Sequence, residues 1–126
     1  MNREFEDAIE NSPIIAAIKN DAEVHQCLTC DSQVIFILYG DICNIADIVD
    51  TVKSAGKIAL VHLDLIGGLN AKEIAVDFIK KYTRADGIIS TRPQLIRHAK
   101  ELSLYTVMRF FVIDSMAYDN IEKQLH

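Results

Sequence analysis

Residues 60–68 read LVHLDLIGG, and this apolar run holds a histidine and an aspartate two positions apart, His62 and Asp64. A carboxylate left unpaired in such surroundings costs several kcal/mol, so the pair calls for a reason. If the run is a strand, period two sends both polar side chains to one face and Val61, Leu63 and Leu65 to the other. An imidazole and a carboxylate on one face can hydrogen-bond a ligand or move a proton. The bland alternative is that the two satisfy each other, or a neighbouring backbone, inside a polar core. Other apolar runs also end in polar groups: Lys19 follows the first, Ser90 and Thr91 end the fourth, and Arg109 lies within the last. Polar groups at the ends of several strands form a ligand-site pattern in parallel α/β folds. The candidate ligand-binding residues are therefore Lys19, His62, Asp64, Ser90 and Arg109. No catalytic residue, metal ligand or cofactor site is assigned.

Other chemistry-bearing motifs weigh less. CLTC, residues 27–30, is a C-x-x-C at the far end of the first crossover helix. A redox pair belongs at a helix N-terminus, where the dipole lowers the thiol pKa, so plain helix-end cysteines are the expectation. A zinc site would need a second pair, and only His25 and Cys43 are near in sequence. Gly67-Gly68 could cradle a phosphate with backbone amides, but no lysine–serine/threonine follows, and a loop needing positive φ explains it better. Asp41 could join His62 and Asp64 around a metal, yet nothing in the spacing demands it. No Gly-x-Ser-x-Gly elbow and no H-E-x-x-H occurs.

These residues need elements to hold them. Apolar runs at 14–18, 34–39, 58–66, 87–90 and 105–113 read as buried parallel strands, with amphipathic stretches between. In the stretch 71–82, Ile74, Phe78 and Tyr82, with Ala75 and Ile79, form the expected buried stripe, and Asn70 with Glu73 forms an expected cap. Another helix starts near Asn44 and stops at Ser54-Ala55-Gly56. Thr91 is placed as the cap of a helix with Arg92 first and Pro93 second. With a short helix at about 3–10, the order is helix, then strand–helix five times, in a single domain over residues 1–126. Strict alternation implies a parallel sheet covered on both faces. An open doubly wound sheet and a (β/α)8 barrel with five units present both fit, and the strand chemistry leans toward the barrel.

Composition sets the class. The chain has 126 residues, a net charge of -5 and half its residues hydrophobic, which suits one globular core. No run reaches the roughly 18 apolar residues of a membrane span, and the acidic N-terminus lacks signal-peptide features. The expectation is a cytoplasmic protein with reduced thiols. An acidic balance argues against a dedicated nucleic-acid binder, although Arg84, Arg92, Arg97, His98 and Lys100 crowd one region.

Four blocks, VHLDLIGGL (61–69), AVDFIKK (75–81), ADGIISTRPQLIRHAKEL (85–102) and TVMRFFVIDSMAYDNIEKQ (106–124), closely resemble the glycerol uptake operon antiterminator family of bacterial regulators, and SPIIAAIKN (12–20) fits its first strand. The resemblance implies an α/β fold of the (β/α)8 TIM-barrel type, present here as five βα units of an incomplete barrel. It implies a regulator, not an enzyme, that responds to glycerol 3-phosphate and binds the leader RNA of glycerol-utilisation operons. Three positions depart from the family pattern: Gly67 replaces an acidic or polar residue, Arg92 often stands as lysine, and Met108 replaces a glutamine. Family members also run on through three further βα units, whose glycine-rich loops grip phosphate. The phosphate is then expected on those loops, with His62, Asp64 and Arg109 facing the glycerol end and Lys19 adding charge. Arg92, Arg97 and Lys100 become the expected RNA contacts. An unclosed barrel also implies an exposed edge at 105–113 and a homo-oligomer. Two alternatives stand beside this reading. One is a phosphosugar-binding barrel lyase or isomerase with His62 or Asp64 as its acid–base group, and the other a fragment without activity of its own.

Overall fold

The computed structural model describes residues 15–109. The N-terminal helix at 3–10 and the last part of the fifth expected strand, 110–113, lie outside these residues. Five strands are present: β1 (Ile15–Ile18), β2 (Val34–Ile37), β3 (Ile58–His62), β4 (Gly87–Ser90) and β5 (Tyr105–Met108). Between them run α1 (Asp21–Cys27), α2 (Ile45–Ser54), α3 (Glu73–Tyr82) and α4 (Pro93–Glu101).

Each strand pairs in parallel with the next, so the sheet order is β1-β2-β3-β4-β5. That order decides between the two architectures. Parallel crossovers are right-handed, and steps always taken in one direction place every helix on the same face. A doubly wound sheet must reverse direction and use both faces. Here one core lies between sheet and helices: Ile35, Ile37, Ala59, Val61 and Ile88 from strands meet Val49, Val52, Val76, Ile79 and Leu95 from helices. Among the described residues, the opposite face carries strand residues alone, Val34, Phe36, Ile58, Leu60, Ile89 and Val107, packed together. This is the wall of a barrel, with an outer helix layer and an inner face of alternate strand residues.

Local chemistry explains the ends. Asn20 accepts from the Glu23 N–H (2.9 Å) and so caps α1. α2 starts after Asn44 and ends at Ala55, with Gly56 at φ +78 as the sequence suggested. α4 starts with Pro93 at its first position, and Arg92 before it is extended, as the residue preceding a proline must be. This shifts the start by one residue, and Thr91 is not the cap. Gly87 is required by a close approach: a Cβ there would run into the Tyr105 carbonyl and Leu60.

Three expectations need correction. α3 buries Ala75, Val76 and Ile79, whereas Ile74 is 67% exposed and Tyr82 60%. The helix is rotated so that Ala75, Val76 and Ile79 meet the sheet and the bulkier residues turn outward; Phe78 is only partly buried, its ring centroid 5.3 Å from that of Tyr82. Asn70 does not cap α3, whose cap position is Lys72 without a side-chain bond. The third strand is also shorter than expected. It stops at His62, and Leu63–Leu65 form a 3-10 turn.

Candidate functional site

The 3-10 turn overturns the period-two relation of His62 and Asp64, because only His62 belongs to the strand. His62 continues the Ile58–Leu60 alternation on the inner face at the carboxyl end of β3. The turn carries Asp64 sideways toward the end of β4. There its Oδ1 accepts from the Ser90 hydroxyl (3.1 Å), and its Oδ2 accepts from the Thr91 N–H (3.0 Å) and the Thr91 hydroxyl (2.8 Å). Ser90, fully buried, also accepts from the Arg92 N–H at 3.1 Å. Burial pushes the Asp64 carboxyl up, but the Thr91 and Ser90 bonds, with His62 beside them, outweigh it and hold the group below the usual carboxylate range. Asp64 and Ser90 are thus a clamp on the β4–α4 loop. Thr91, which the sequence reading used only as a helix cap, is the third member.

His62 is different. It is 3% exposed, and neither ring nitrogen has a hydrogen-bond partner among the described residues. Burial pushes its pKa down; Asp64 pulls it up less strongly, and Arg109 pushes it down again. The imidazole is therefore neutral at pH 7, with one donor and one acceptor unused. Leaving such groups unpaired costs about 1–3 kcal/mol each. Arg109, half-buried just beyond β5, is held by its N–H donating to the Ser90 carbonyl at 2.9 Å.

The structure thus brings together His62, Asp64, Ser90 and Arg109 from β3, the 3-10 turn, β4 and the end of β5. It does not bring in Lys19. That residue is exposed beyond β1, two strands from β3, or roughly 10 Å at usual strand spacing. Its backbone N–H donates to Glu23 Oε1 at 2.6 Å. Asp41 also stays apart: its Oδ1 accepts from the Cys43 and Asn44 N–H groups at the entrance to α2. Among the described residues, no group of three or more His, Cys, Asp or Glu could hold a metal. Gly67 exchanges hydrogen bonds with β2's exit loop, donating to Gly40 and accepting from Ile42, and Gly68 has φ +88. The glycine pair is there for backbone geometry. Cys27 ends α1 and is buried, and Cys30 donates to its carbonyl at 3.0 Å.

Arg92, Arg97 and Lys100 are exposed along α4, but Arg92 and Lys100 stand at opposite ends, about 12 Å apart along the axis. His98 leaves the basic group. Its Nε2 pairs with Asp77 at 2.8 Å, a bond that raises its pKa. Arg84 lies 3.6 Å from Asp50. Sequence reasoning missed two lysines at the other end of the sheet. Lys53 pairs with Asp86 at 2.8 Å, and buried Lys57 donates to the Cys30 and Ser32 carbonyls. Only three-dimensional proximity joins these partners, which lie far apart in sequence.

Among the described residues, a sequentially ordered parallel sheet with the helices on one face and polar groups gathered at the strand ends defines a barrel-type α/β protein, and those ends are its candidate ligand site. Residues 14–126 match the family model described as "Glycerol-3-phosphate responsive antiterminator", and the chain belongs to that family of regulatory proteins. It is 39% identical over 117 residues to the "Uncharacterized protein YgcP" of Escherichia coli K12, covering 93% of this chain and 61% of that protein. A solved glycerol uptake operon antiterminator regulatory protein from Listeria monocytogenes is similar at 33% identity, TM-score 0.77, with 91% of this chain and 62% of that one covered. A glycerol uptake operon antiterminator-related protein from Thermotoga maritima is similar at 33% identity and TM-score 0.70, with 88% and 62% covered. The chain thus spans somewhat over three-fifths of the length of these relatives.

Proposed function

We propose that this chain acts in transcription antitermination as a glycerol 3-phosphate-responsive protein that binds leader RNA of glycerol-utilisation operons in the cytoplasm. The observation that carries the effector half is His62, buried on the inner sheet face with two unused ring nitrogens beside the Arg109 cation. The family description supports the choice of glycerol 3-phosphate among small anions. In this reading His62 and Arg109 touch the effector, while Asp64 and Ser90 hold the loop that shapes the pocket. Lys19, exposed beyond β1 two strands away, adds charge at the rim of the same end. No covalent step is needed, and Asp64, already accepting three hydrogen bonds, is poorly suited to take a proton in a lyase or isomerase. RNA phosphates are met by the exposed cations of α4, Arg92, Arg97 and Lys100, and the protein works as a homo-oligomer.

Calorimetric titration with glycerol 3-phosphate, beside glycerol and sulfate, tests the effector half. Saturable binding of the phosphate ester, weakened at least about tenfold in Arg109→Ala, is the expected result. Heat that is the same for sulfate and glycerol 3-phosphate would remove the basis for an effector-specific site.

A further inference from the structure

The family resemblance alone sets the phosphate on loops beyond this part of the barrel and the glycerol hydroxyls against His62, Asp64 and Arg109. The hydrogen bonds around Asp64 speak against that orientation. A carboxylate that accepts from the Ser90 hydroxyl, the Thr91 N–H and the Thr91 hydroxyl has little capacity left for ligand hydroxyls. Beside it, at the ends of β3, β4 and β5, stands donor chemistry. Arg109 has five N–H donors and no carboxylate within 4 Å among the described residues. His62 is 97% buried and has both nitrogens unpartnered. The N-terminus of α4, whose dipole favours negative charge, follows Ser90 by three residues.

Resting on the reading that this end of the sheet takes glycerol 3-phosphate, we propose that the phosphate group lies between His62 and Arg109 and that His62 takes up a proton from solution as it binds. The proton balance is simple: a solvent proton joins the neutral imidazole, which then faces the phosphate dianion as a cation. No bond in the ligand is made or broken.

The surroundings of His62 fit such a step. The charged groups acting on it are Asp64 from the 3-10 turn and Arg109 from beyond β5. β2 presents the apolar Phe36 and Leu38 on the same sheet face, and β4 presents Ile89 and then the Ser90–Thr91 loop. Asp64 favours the charged imidazole, but its oxygens are committed to that loop and no hydrogen bond joins it to the ring. Burial and Arg109 keep it neutral. A phosphate dianion adds further negative charge and free acceptor oxygens together, which favours the protonated form. A hydroxyl end would not do so: a neutral imidazole can donate to one hydroxyl and accept from another with no change in protonation.

Proton-linked calorimetry separates these cases. The 126-residue chain is titrated at about pH 7.5 in buffers of different ionisation enthalpy, where the ligand phosphate is mainly a dianion and His62 is neutral. The expected result is an uptake approaching about one proton per glycerol 3-phosphate bound, the same sign of uptake with weaker-binding inorganic phosphate, and no binding of glycerol. His62→Gln should bind at least about tenfold more weakly and take up no proton. In the wild type, the imidazole nitrogen resonances of His62 should move from the neutral to the doubly protonated pattern on addition of either phosphate, so the test does not depend on a variant folding. Tight binding of glycerol 3-phosphate without proton uptake, or with His62 resonances still neutral, overturns this inference and leaves the effector site in place. Absence of binding by either phosphate overturns both.

Discussion

At the residue scale, His62 and Asp64 have opposite jobs. Asp64 is a structural anchor, and Asp64→Ala should cost about 2 kcal/mol by chemical denaturation at neutral pH, since three donors lose a charged acceptor. Its folded pKa lies below the ordinary value of 3.8, so its contribution is complete above that value. It is lost as pH falls through the lower folded value, and the gap between wild type and variant should close there. His62 has the same sign in a higher pH window. Its folded pKa lies below 6.5, so the unfolded chain binds the proton more readily, and stability declines as pH falls from about 6.5 toward the folded value. His62→Leu removes two unpartnered polar atoms. It should leave the chain as stable or about 1 kcal/mol more stable, flatten that acid-side decline and abolish effector binding. A variant that is markedly less stable would mean that the imidazole has a structural partner. The sequence made this pair visible as polar residues in an apolar run, but not their division of labour. Period two assumes that the strand continues, and the chain leaves the strand after His62. The loop-clamping role of Thr91 was equally hidden, because its acceptor lies 27 positions away.

At the element scale, alternation and turn chemistry made the order of strands and helices legible, and the boundaries of α2 follow from Asn44 and Gly56. The register of α3 was not legible. Ala75 and Ile79 of the expected stripe are buried, but Ile74 and Tyr82 are not, because an apolar band this wide does not fix the rotation of the helix and Val76 takes the place beside them. Ile79→Ala should cost about 3 kcal/mol by leaving a cavity, whereas Ile74→Ala at an exposed position should stay within about 0.5 kcal/mol. Equal losses at the two sites would restore the bulkier stripe to the core. Gly87→Ala should destabilise the β4–β5 pairing by about 3 kcal/mol or more in urea unfolding, because backbone atoms, not a flexible side chain, stand where the Cβ must go.

At the scale of the whole molecule, the sequence left barrel and doubly wound sheet both open because periodicity says nothing of strand order. The order β1-β2-β3-β4-β5 resolves the question and gathers the ends of β3, β4 and β5 into one site, with the exposed cations of α4 beginning beside it. Under the proposed function, that adjacency would couple effector to RNA: the Asp64 clamp holds the loop that carries both Ser90 and Arg92. If α4 meets RNA phosphates, Arg97→Ala/Lys100→Ala should lower the salt slope of binding by about one to two units, whereas an unchanged slope would place the RNA elsewhere. The most direct test of the account is the affinity of the chain for leader RNA measured with and without saturating glycerol 3-phosphate. A change of several-fold or more is expected with the phosphate ester, none with glycerol, and no response in Arg109→Ala. Leader-RNA affinity that is identical with and without the effector would contradict it.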